Sequence, residues 1–480
     1  MPVCRQIAGQ LREAILRGRL RPGALLPASR TLAIDLGVSR TTSLHAYEQL
    51  VAEGFLEARR GSGTRISARL GSDDSVDEAF TRTFPGSGAA HHDAAPERRD
   101  IFFDPEPPVA AFQPGIPAFD TFPRSRWARL LQRHGRRGDQ FILDYAHPGG
   151  YGPLRQAIAR YLVSSRGLQC SAEQLVIVSS ARAAVSVACA VLLPPGSAAV
   201  VEDPGYNTGR SCLEAAGAAI VAVSVDGRGL RVDDPAMRAP AVRLVYTTPA
   251  HQWPTGVTLS APRRLRLLEW AHRQNAWIIE DDYDSEFRYS SPPVATLHSL
   301  ADGERVVYVG TFSKTLVPSI RCAYLVVPRR RREVFAEAAF KRGCEPSLHV
   351  QAALSDFIDE GHFARYIVRM RKVYRRRRDR LASALRASFG GLVDIALPDG
   401  GLQLVASLPA TLPAREVSVR AARADLVARD IAVYYRASPA PNALHLGFGA
   451  VTEGEIDGAV ERLRDAVSDL ACARSVGPSR

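Results

Sequence analysis

The sequence predicts an α/β protein in which a small helical head precedes a large domain with a mainly parallel sheet. Three observations support this prediction. The first 70 residues have the order of helices and turns of a helix-turn-helix followed by a β-hairpin. An acidic stretch with few apolar positions comes next, and beyond Phe112 strand-like runs alternate with runs of helical period. The length of 480 residues fits about three domains, or one small and one large domain.

The composition excludes several other classes of protein. Apolar residues make up 46% and charged residues 23%, which excludes a wholly disordered, collagen-like or coiled-coil chain. The longest uncharged apolar stretch, Ala183–Leu193, is too short to span a bilayer, and no basic-then-apolar leader opens the chain. The seven Cys residues are scattered and form no C-x-x-C pair. We therefore expect a cytoplasmic protein with reduced thiols, no membrane segment and no metal.

The distribution of charged and apolar residues along the chain predicts the domain boundaries. The net charge is +12, and residues 1–70 hold eleven Arg against five acids, whereas residues 71–107 hold more acids than bases. A basic head on an acidic linker favours nucleic-acid binding, although an Arg-rich genomic composition is an alternative explanation. We expect a DNA-binding head over 1–68, a flexible linker over 69–110 and the α/β domain over 111–475.

The head is predicted element by element from its apolar period and its turn residues. In order, we expect a helix with apolar positions from Ile7 to Ile15, a helix over Ser29–Leu36, a helix capped by Ser39 and ending at Gly54, and a hairpin over Phe55–Ile66. The apolar residues expected to face the core of the head are Leu32, Ala33 and Leu36 on the second helix and Leu44, Tyr47, Leu50 and Val51 on the third.

The third helix of the head is the predicted recognition helix. The first residues of this helix would contact base edges, where Arg40 can form two hydrogen bonds with guanine. The hydroxyls and free amides at the start of the helix would bind phosphate. Arg30 would reach the DNA backbone, and Arg60 would reach phosphate or the minor groove. A solvated face is the alternative for any single Arg, and a packing domain without DNA is the alternative for the whole head. The predicted DNA-contacting residues are Arg30, Ser39, Arg40, Thr41, Thr42, Arg60 and Gly61.

Three segments of the head resemble the winged-helix DNA-binding domain of GntR-type bacterial regulators. They are Leu26–Arg30, Leu36–Thr42 and Glu53–Leu56. The resemblance covers residues 4–67 and implies a dimer that binds promoter DNA at two half-sites. The chain begins almost inside the first helix, where the family usually has several more residues.

In the large domain, polar segments directly follow two predicted strands, where the chemistry of α/β proteins is concentrated. Trp277–Glu280 leads into Asp281–Asp284, and Val306–Thr311 leads into Ser313 and Lys314. Only three of the 62 basic residues are Lys, and a Lys amine can form a Schiff base whereas Arg cannot. A Lys, a carboxylate and a Tyr fit pyridoxal phosphate (PLP). A surface Lys beside a metal-binding acid cluster is the alternative. The Arg runs at 329–332 and 375–378 are expected to be solvated faces, with a second nucleic-acid site as the alternative.

Longer motifs resemble the fold-type I aminotransferase region of the MocR subfamily of GntR-type regulators, so the resemblance covers almost the whole chain. The motifs are Phe112–Pro117, Thr248–Gly256, Glu280–Tyr289 and Gly310–Leu316. The resemblance implies that Lys314 carries PLP as an internal aldimine, that Asp281 pairs with the pyridine nitrogen and that Tyr283 binds the ring oxygen. It further implies that Ser313 and Arg321 bind the phosphate.

The resemblance also implies contacts from more distant segments. The turn Ser179-Ser180-Ala181 would offer its amides to the phosphate, Tyr145 would reach the phosphate of the other subunit, and Tyr206 would pack near the ring. The chain departs from the family at three positions: Ser180 replaces a usual Gly, Gln403 a usual His and His445 the usual carboxylate-binding Arg.

The function predicted from these features is PLP-dependent transcriptional regulation, in which the aminotransferase-like domain senses PLP, an amino compound, or both. His445 offers one directed hydrogen bond where Arg offers a charged pair, so simple α-amino acids are expected to bind weakly and turn over slowly. Arg210 is an alternative carboxylate site. The alternatives to the regulator are a working aminotransferase with an incidental head, and a DNA-binding protein that does not bind PLP.

Overall fold

The structure, a computed structural model, describes residues 3–59, 63–68, 109–136, 140–145, 148–290, 294–301 and 303–473. The predicted linker lies outside these ranges except for its last two residues, and the predicted contacts Arg60 and Gly61 also lie outside them. Among the described residues, no helix is both long enough and apolar enough to cross a membrane.

The head contains the predicted helices and hairpin. They are α1 (Val3–Leu16), α2 (Ser29–Asp35), α3 (Arg40–Ala52), β1 (Leu56–Arg59) and β2 (Gly63–Ile66). Ser39 caps α3, because its Oγ accepts a hydrogen bond from the amide of Thr42 at 3.1 Å. The Ser43 hydroxyl donates to the carbonyl of Ser29 at 2.6 Å, which ties α3 to the start of α2. The predicted helix-turn-helix with a wing is therefore confirmed.

The expected core positions of the head are wrong at three residues. Leu36, Leu44 and Val51 are 47%, 41% and 37% exposed. Leu36 lies beyond the end of α2, and Leu44 and Val51 each lie one residue past the buried stripe, about 100° around the helix. The stripe of α3 that is buried comprises Ser43, Ala46, Tyr47 and Leu50.

The large domain alternates helices and strands as predicted, with a second group of elements after it. Its first part contains α4 (Arg124–Arg136), α5 (Gln140–Leu143), α6 (Gly152–Arg166), β3 (Leu175–Val178), α7 (Ala181–Leu192), β4 (Ala198–Asp203), α8 (Asn207–Ala215), β5 (Ala219–Asp226), β6 (Gly229–Leu230), β7 (Val242–Thr247), α9 (Ala261–Arg273), β8 (Trp277–Asp282), α10 (Leu297–Leu300), β9 (Val306–Thr311), α11 (Phe312–Thr315) and β10 (Ala323–Val326). Its second part contains α12 (Arg332–Phe340), α13 (Leu348–Asp359), α14 (His362–Ser388), β11 (Asp394–Ile395), β12 (Gln403–Ser407), α15 (Ala414–Arg423), β13 (Arg429–Asp430), β14 (Ala443–Gly447) and α16 (Ile456–Ala473).

The central sheet has eight strands in the order β3-β10-β9-β8-β7-β4-β5-β6. Strands β5, β4, β7, β8 and β9 run parallel, whereas β10 is antiparallel to both of its neighbours. The mainly parallel sheet is thus confirmed. The carboxyl ends of β7, β8 and β9 meet at one edge, and the polar segments after β8 and β9 are consequently brought together there.

A smaller antiparallel sheet, in the order β11-β12-β14-β13, follows the long helix α14 and was not predicted.

The expectation that residues 375–378 are solvated is wrong for half of that run. Arg377 and Arg378 are 3% and 8% exposed. Arg377 pairs with Asp120 at 2.6 Å, and Arg378 lies over the ring of Tyr289, so these guanidinium groups join α14 to its surroundings.

The head packs against the large domain at the start of α9. Ala261 is fully enclosed within the core of the head, and Leu265 and Leu300 pack against the same cluster. Gly54, at the end of the recognition helix, approaches this surface so closely that a Cβ there would lie 3.7 Å from the Cβ of Ala261. The head and the large domain therefore share one hydrophobic cluster at this surface.

Candidate functional site

The site lies at the carboxyl edge of the central sheet, around the side chain of Lys314. Lys314 is in α11, which begins directly after β9, and its Nζ donates a hydrogen bond to the carbonyl of Gly115 at 2.7 Å. Gly115 has a φ of +72°, and a Cβ there would lie 2.9 Å from that Nζ and 3.2 Å from the ring of Trp253. A larger residue at 115 would therefore displace the amine.

Electrostatics favour a reactive amine at Lys314. Burial lowers the pKa of Lys314, and the nearby carboxylates Asp284 and Asp281 oppose that shift. A lowered pKa makes more of the neutral, nucleophilic amine available near neutral pH.

Asp281 is the second-last residue of β8 and is nearly fully buried. Its Oδ2 accepts a hydrogen bond from the Tyr246 hydroxyl at 2.6 Å. Its Oδ1 is buried and has no hydrogen-bond partner among the residues that the structure describes. Burial raises the pKa of Asp281 to about 7, and the hydrogen bond from Tyr246 limits the rise. The free Oδ1 atom is thus placed to accept a hydrogen bond from a bound positive group, since none of the described residues donates to it.

The other acids near the end of β8 are bound by protein groups. Asp282 pairs with Arg166 at 2.7 Å and Asp284 contacts His251 at 3.1 Å. The carboxylate of Glu280 accepts two backbone amides at the start of α10, and Glu286 accepts the Tyr161 hydroxyl. Each of these acids is thus bound by the protein through at least one oxygen, whereas Oδ1 of Asp282 and Oε2 of Glu286 have no partner among the described residues, as is also true of Oδ1 of Asp281.

Aromatic side chains form one wall of the site. The Tyr283 hydroxyl donates to the carbonyl of His251 at 2.8 Å and accepts a hydrogen bond from Gln403 at 3.3 Å. Trp253 packs edge-on against Tyr206 and Tyr283, with ring centroids 5.6 and 5.8 Å apart. The structure thus brings Tyr206 and Tyr283 to one cluster, with Trp253 between them.

The predicted phosphate-binding residues lie on three segments. Ser313 is in the first turn of α11, two residues after Thr311. Arg321 is exposed, and its backbone is in the left-handed region with a φ of +50°. Ser180 caps α7 through its Oγ and has an extended backbone, so this position does not require Gly. Tyr145 is 88% exposed.

In the turn Ser179-Ser180-Ala181, whose amides the resemblance predicts to bind phosphate, the structure gives Ser179 a partner within the chain. Its N–H already donates to the carbonyl of Cys344 at 2.6 Å, as part of the connection between β3 and the segment after α12. The amide of Ala181 opens α7, where the first N–H groups of a helix have no partner within the helix.

The chemical groups that the fold brings together here fit PLP. The site combines a buried Lys amine, a carboxylate with one unsatisfied buried oxygen and a buried Tyr hydroxyl. Those are the partners that the aldehyde, the pyridine nitrogen and the phenolic oxygen of PLP need.

Comparisons with known families match both parts of the chain. The family described as "Aminotransferase class I and II" matches residues 115–463, and the family "Bacterial regulatory proteins, gntR family" matches residues 4–66. The "Probable rhizopine catabolism regulatory protein MocR" of Rhizobium meliloti is 37% identical over 97% of this chain and 94% of its own length.

The chain belongs to the MocR subfamily of GntR-type transcriptional regulators. A second relative, the "HTH-type pyridoxine biosynthesis transcriptional regulator PdxR" of Corynebacterium glutamicum, is 31% identical over 96% of this chain and 95% of its own. Because full-length relatives such as these are transcriptional regulators, this MocR-type chain is a regulator and the aminotransferase alternative is not favoured.

Solved structures match the large domain of this MocR-type regulator. The α-aminoadipate aminotransferase LysN of Thermus thermophilus, complexed with N-(5'-phosphopyridoxyl)-L-leucine, has a TM-score of 0.69 and is 25% identical over 76% of this chain and 93% of its own. The kynurenine aminotransferase of Pyrococcus horikoshii, in complex with PMP, has a TM-score of 0.68 and is 26% identical over 75% and 91%. The fold-type I aminotransferase fold is thus shown.

The head of the MocR-type chain presents its predicted DNA contacts to solvent. Arg30, Ser39, Arg40 and Thr41 are exposed at the adjoining starts of α2 and α3, and Thr42 is half-buried. The Thr42 hydroxyl lies 2.8 Å from the Ser39 Oγ, so these two hydroxyls order the helix start. The described residues of the predicted interface therefore share one end of the helix-turn-helix.

His445 is fully buried in this MocR-type chain, beside the aromatic wall. Its Nδ1 lies 3.2 Å from the Tyr434 hydroxyl, and its ring packs edge-on against Trp253 at 4.8 Å. Arg210, the alternative carboxylate site, is half-buried on α8, and its Nε lies 4.0 Å from Glu214. Four residues of the site were not predicted from the sequence: Tyr246, His251, Trp253 and Tyr434. His251 and Trp253 lie within the motif Thr248–Gly256, whereas no sequence signal marks Tyr246 or Tyr434.

Replacing Asp281 by Asn is expected to change how stability depends on pH. An ordinary Asp ionises near pH 4, so between about pH 4 and pH 7 the folded protein holds a proton that the unfolded chain has lost. The stability of the cofactor-free protein therefore falls as pH rises through this window. The Asn variant lacks this loss and should be more stable than the natural chain at pH 8, with a smaller difference at pH 5.

Urea unfolding midpoints of both cofactor-free proteins at pH 5 and pH 8 measure this difference. Asp233→Asn is the matched control, because the Asp233 side chain is 44% exposed and its change should be small at both pH values. An Asp281→Asn variant less stable than the natural chain at pH 8 would contradict the electrostatic interpretation.

Proposed function

We propose that this MocR-type chain is a DNA-binding regulator whose promoter affinity is controlled by PLP, by an amino compound that reacts with PLP, or by both. The observation that carries the proposal is the placement of the Lys314 amine near Asp281, whose buried oxygen lacks a partner among the described residues. When bound, PLP supplies an aldehyde that captures amines and a ring that withdraws electrons.

In this proposal the chain's own side chains hold the cofactor at both ends. Lys314 provides the amine, Asp281 keeps the pyridine nitrogen protonated and Tyr283 holds the ring oxygen. Ser313, Arg321 and the amides at the start of α7 hold the phosphate. Tyr206 packs near the ring, and the exposed Tyr145 reaches the second subunit of a homodimer.

The head binds promoter DNA in this proposal, and the dimer reads two half-sites. The contacts come from Arg30, Ser39, Arg40, Thr41 and Thr42, with Arg60 and Gly61 as further contacts. The chain would divide into a head over 1–68, a linker over 69–110 and an effector domain over 111–475, and would act in the cytoplasm.

The packing of the head suggests how the site communicates with DNA binding. Ala261, which the head encloses, is followed on α9 by the fully buried Arg264. The Arg264 guanidinium donates hydrogen bonds to the carbonyls of Pro249 and Ala295 at 2.6 and 2.7 Å. Pro249 lies in the segment between β7 and α9 that also carries Trp253, so we expect a shift of the aromatic wall to reach α9 through these hydrogen bonds.

The decisive experiment measures DNA binding with and without the cofactor. The probe is the region upstream of the gene that encodes this chain, and affinity is measured for cofactor-free protein, for PLP-loaded protein and for the Lys314→Ala variant with PLP added. We expect PLP to change the affinity of the natural chain by fivefold or more, within the usual range of allosteric coupling, and to leave the variant unchanged. Equal affinity in all three samples would contradict control by PLP.

A further inference from the structure

One face of the smaller sheet contacts the aromatic wall of the site and carries uncharged polar groups. Val405 on β12 lies opposite His445 on β14, and Gln403 is two residues from Val405 on the same strand, so these side chains share a face. The Gln403 amide contacts the Tyr283 hydroxyl, and the His445 ring contacts Trp253.

Three buried polar atoms of this cluster have no hydrogen-bond partner in the part of the chain that the structure describes. They are Oε1 of Gln403, Nε2 of His445 and Nε1 of Trp253, on side chains at most 7% exposed. An unsatisfied buried polar atom costs about 1–3 kcal/mol, so several at one place call for an explanation. A ligand that reaches these atoms with its own donors and acceptors would satisfy them.

All three groups are uncharged. Burial holds the pKa of His445 well below its usual range, and the nearby Arg429 and His251 lower it further. Gln403 and Trp253 carry no charge at any ordinary pH. A carboxylate placed here would lose its hydration without gaining a charged partner from these side chains, whereas hydroxyl groups would exchange hydrogen bonds with water for equivalent ones with the protein.

The cation nearest to this cluster by strand register is Arg429, which lies opposite His445 in the pairing of β13 with β14. It is half-buried and has interactions of its own. Its positive charge helps to keep the imidazole of His445 neutral. Arg429 is also the residue that a carboxylate would have to reach, so the experiment must include it.

We propose that the amino compound recognised beside Lys314 carries hydroxyl groups next to its amine and lacks a carboxylate: an amino alcohol or amino polyol. His445 and Trp253 would donate hydrogen bonds to these hydroxyls, and Gln403 would accept one. The inference rests on the proposed function, because the compound binds to the PLP-loaded effector domain. A site built for hydroxyls discriminates strongly against analogues that leave its buried groups unpaired.

The test compares pairs of amines that differ only in the group beside the amine-bearing carbon. Serinol is paired with L-serine, L-alaninol with L-alanine, and D-glucosaminitol with D-glucosaminic acid. Titration calorimetry on PLP-loaded protein, checked first for bound cofactor by its absorbance, gives the dissociation constants. We expect the alcohol of at least one pair to bind, and each alcohol that binds to do so at least tenfold more tightly than its acid and to change the affinity for the upstream DNA.

Two variants of His445 and one of Arg429 complete the test. His445→Arg supplies the missing charge and should reverse the preference toward the acids by at least tenfold, whereas His445→Gln stays neutral and should keep the preference for alcohols. Tighter binding of the acids by the natural chain, abolished in Arg429→Gln, would overturn the inference, as would no binding of any compound to loaded protein. Protein that takes up no PLP would overturn the proposed function as well, so the two failures are distinguishable.

Discussion

The Lys314→Ala variant is expected to lose completely the absorbance band of lysine-bound PLP that the natural chain should acquire. No other side chain of the described site offers an amine, because Lys314 is flanked by carboxylates, aromatic rings and the carbonyl of Gly115. The variant should stay folded, since removing a buried amine also removes its desolvation cost. PLP should raise the melting temperature of the natural chain and raise that of the variant much less.

The composition of the chain provides a matched control for this experiment. Lys314, Lys341 and Lys372 are its only lysines. The other two are exposed, and Lys341 pairs with Glu337 on the surface. A Lys341→Ala/Lys372→Ala double variant should therefore keep the full band, and borohydride reduction followed by peptide mapping should label Lys314. A band that survives in Lys314→Ala would refute the assignment.

DNA binding is expected to depend steeply on salt and on Arg40. Arginine contacts with phosphates release counterions, so affinity should fall on the order of a thousandfold between 50 and 200 mM salt if the dimer neutralises about six phosphates. Arg40 is exposed at the start of the recognition helix. Its replacement by Ala should cost about 1–3 kcal/mol and relax specificity at one base pair, because a bidentate contact with guanine is lost.

Arg30→Ala should behave differently from Arg40→Ala, because Arg30 starts α2 and would contact the DNA backbone. It should weaken all sequences to a similar extent and reduce the salt slope by about one. The control is Arg342→Ala, which removes the same charge from an exposed position of the large domain. Binding that does not depend on salt would contradict the assignment of the head, and a footprint of a single half-site would contradict the dimeric arrangement.

Local chemistry explains why so much of the site could be predicted before the fold was known. Asp281 lies near the carboxyl end of β8 and Lys314 just beyond that of β9, and these two strands are neighbours in a parallel sheet. Neighbouring parallel strands end at the same edge, so residues after them meet without any further information. The cap at Ser39 is equally local, and the head was predictable for the same reason.

Partners that are distant in the chain could not be predicted. Asp281 meets Tyr246, which is 35 residues away, and Gln403 meets Tyr283, which is 120 residues away. Arg377 belongs to a run of arginines that looks solvated in sequence, yet it is buried against Asp120. No period or motif encodes such pairs, because they depend on how whole elements pack.

The sequence by itself determined the two-domain order, the parallel sheet, the recognition helix and the candidate Lys, because each depends on hydrophobic period, turn chemistry or residue type within a short window. The tertiary structure alone decided that His445 is buried, neutral and packed on Trp253, and that the head encloses Ala261. Burial, and with it the charge of a titratable group, is a property of the surrounding elements. The kind of ligand that the site can hold is for that reason decided by packing rather than by local sequence.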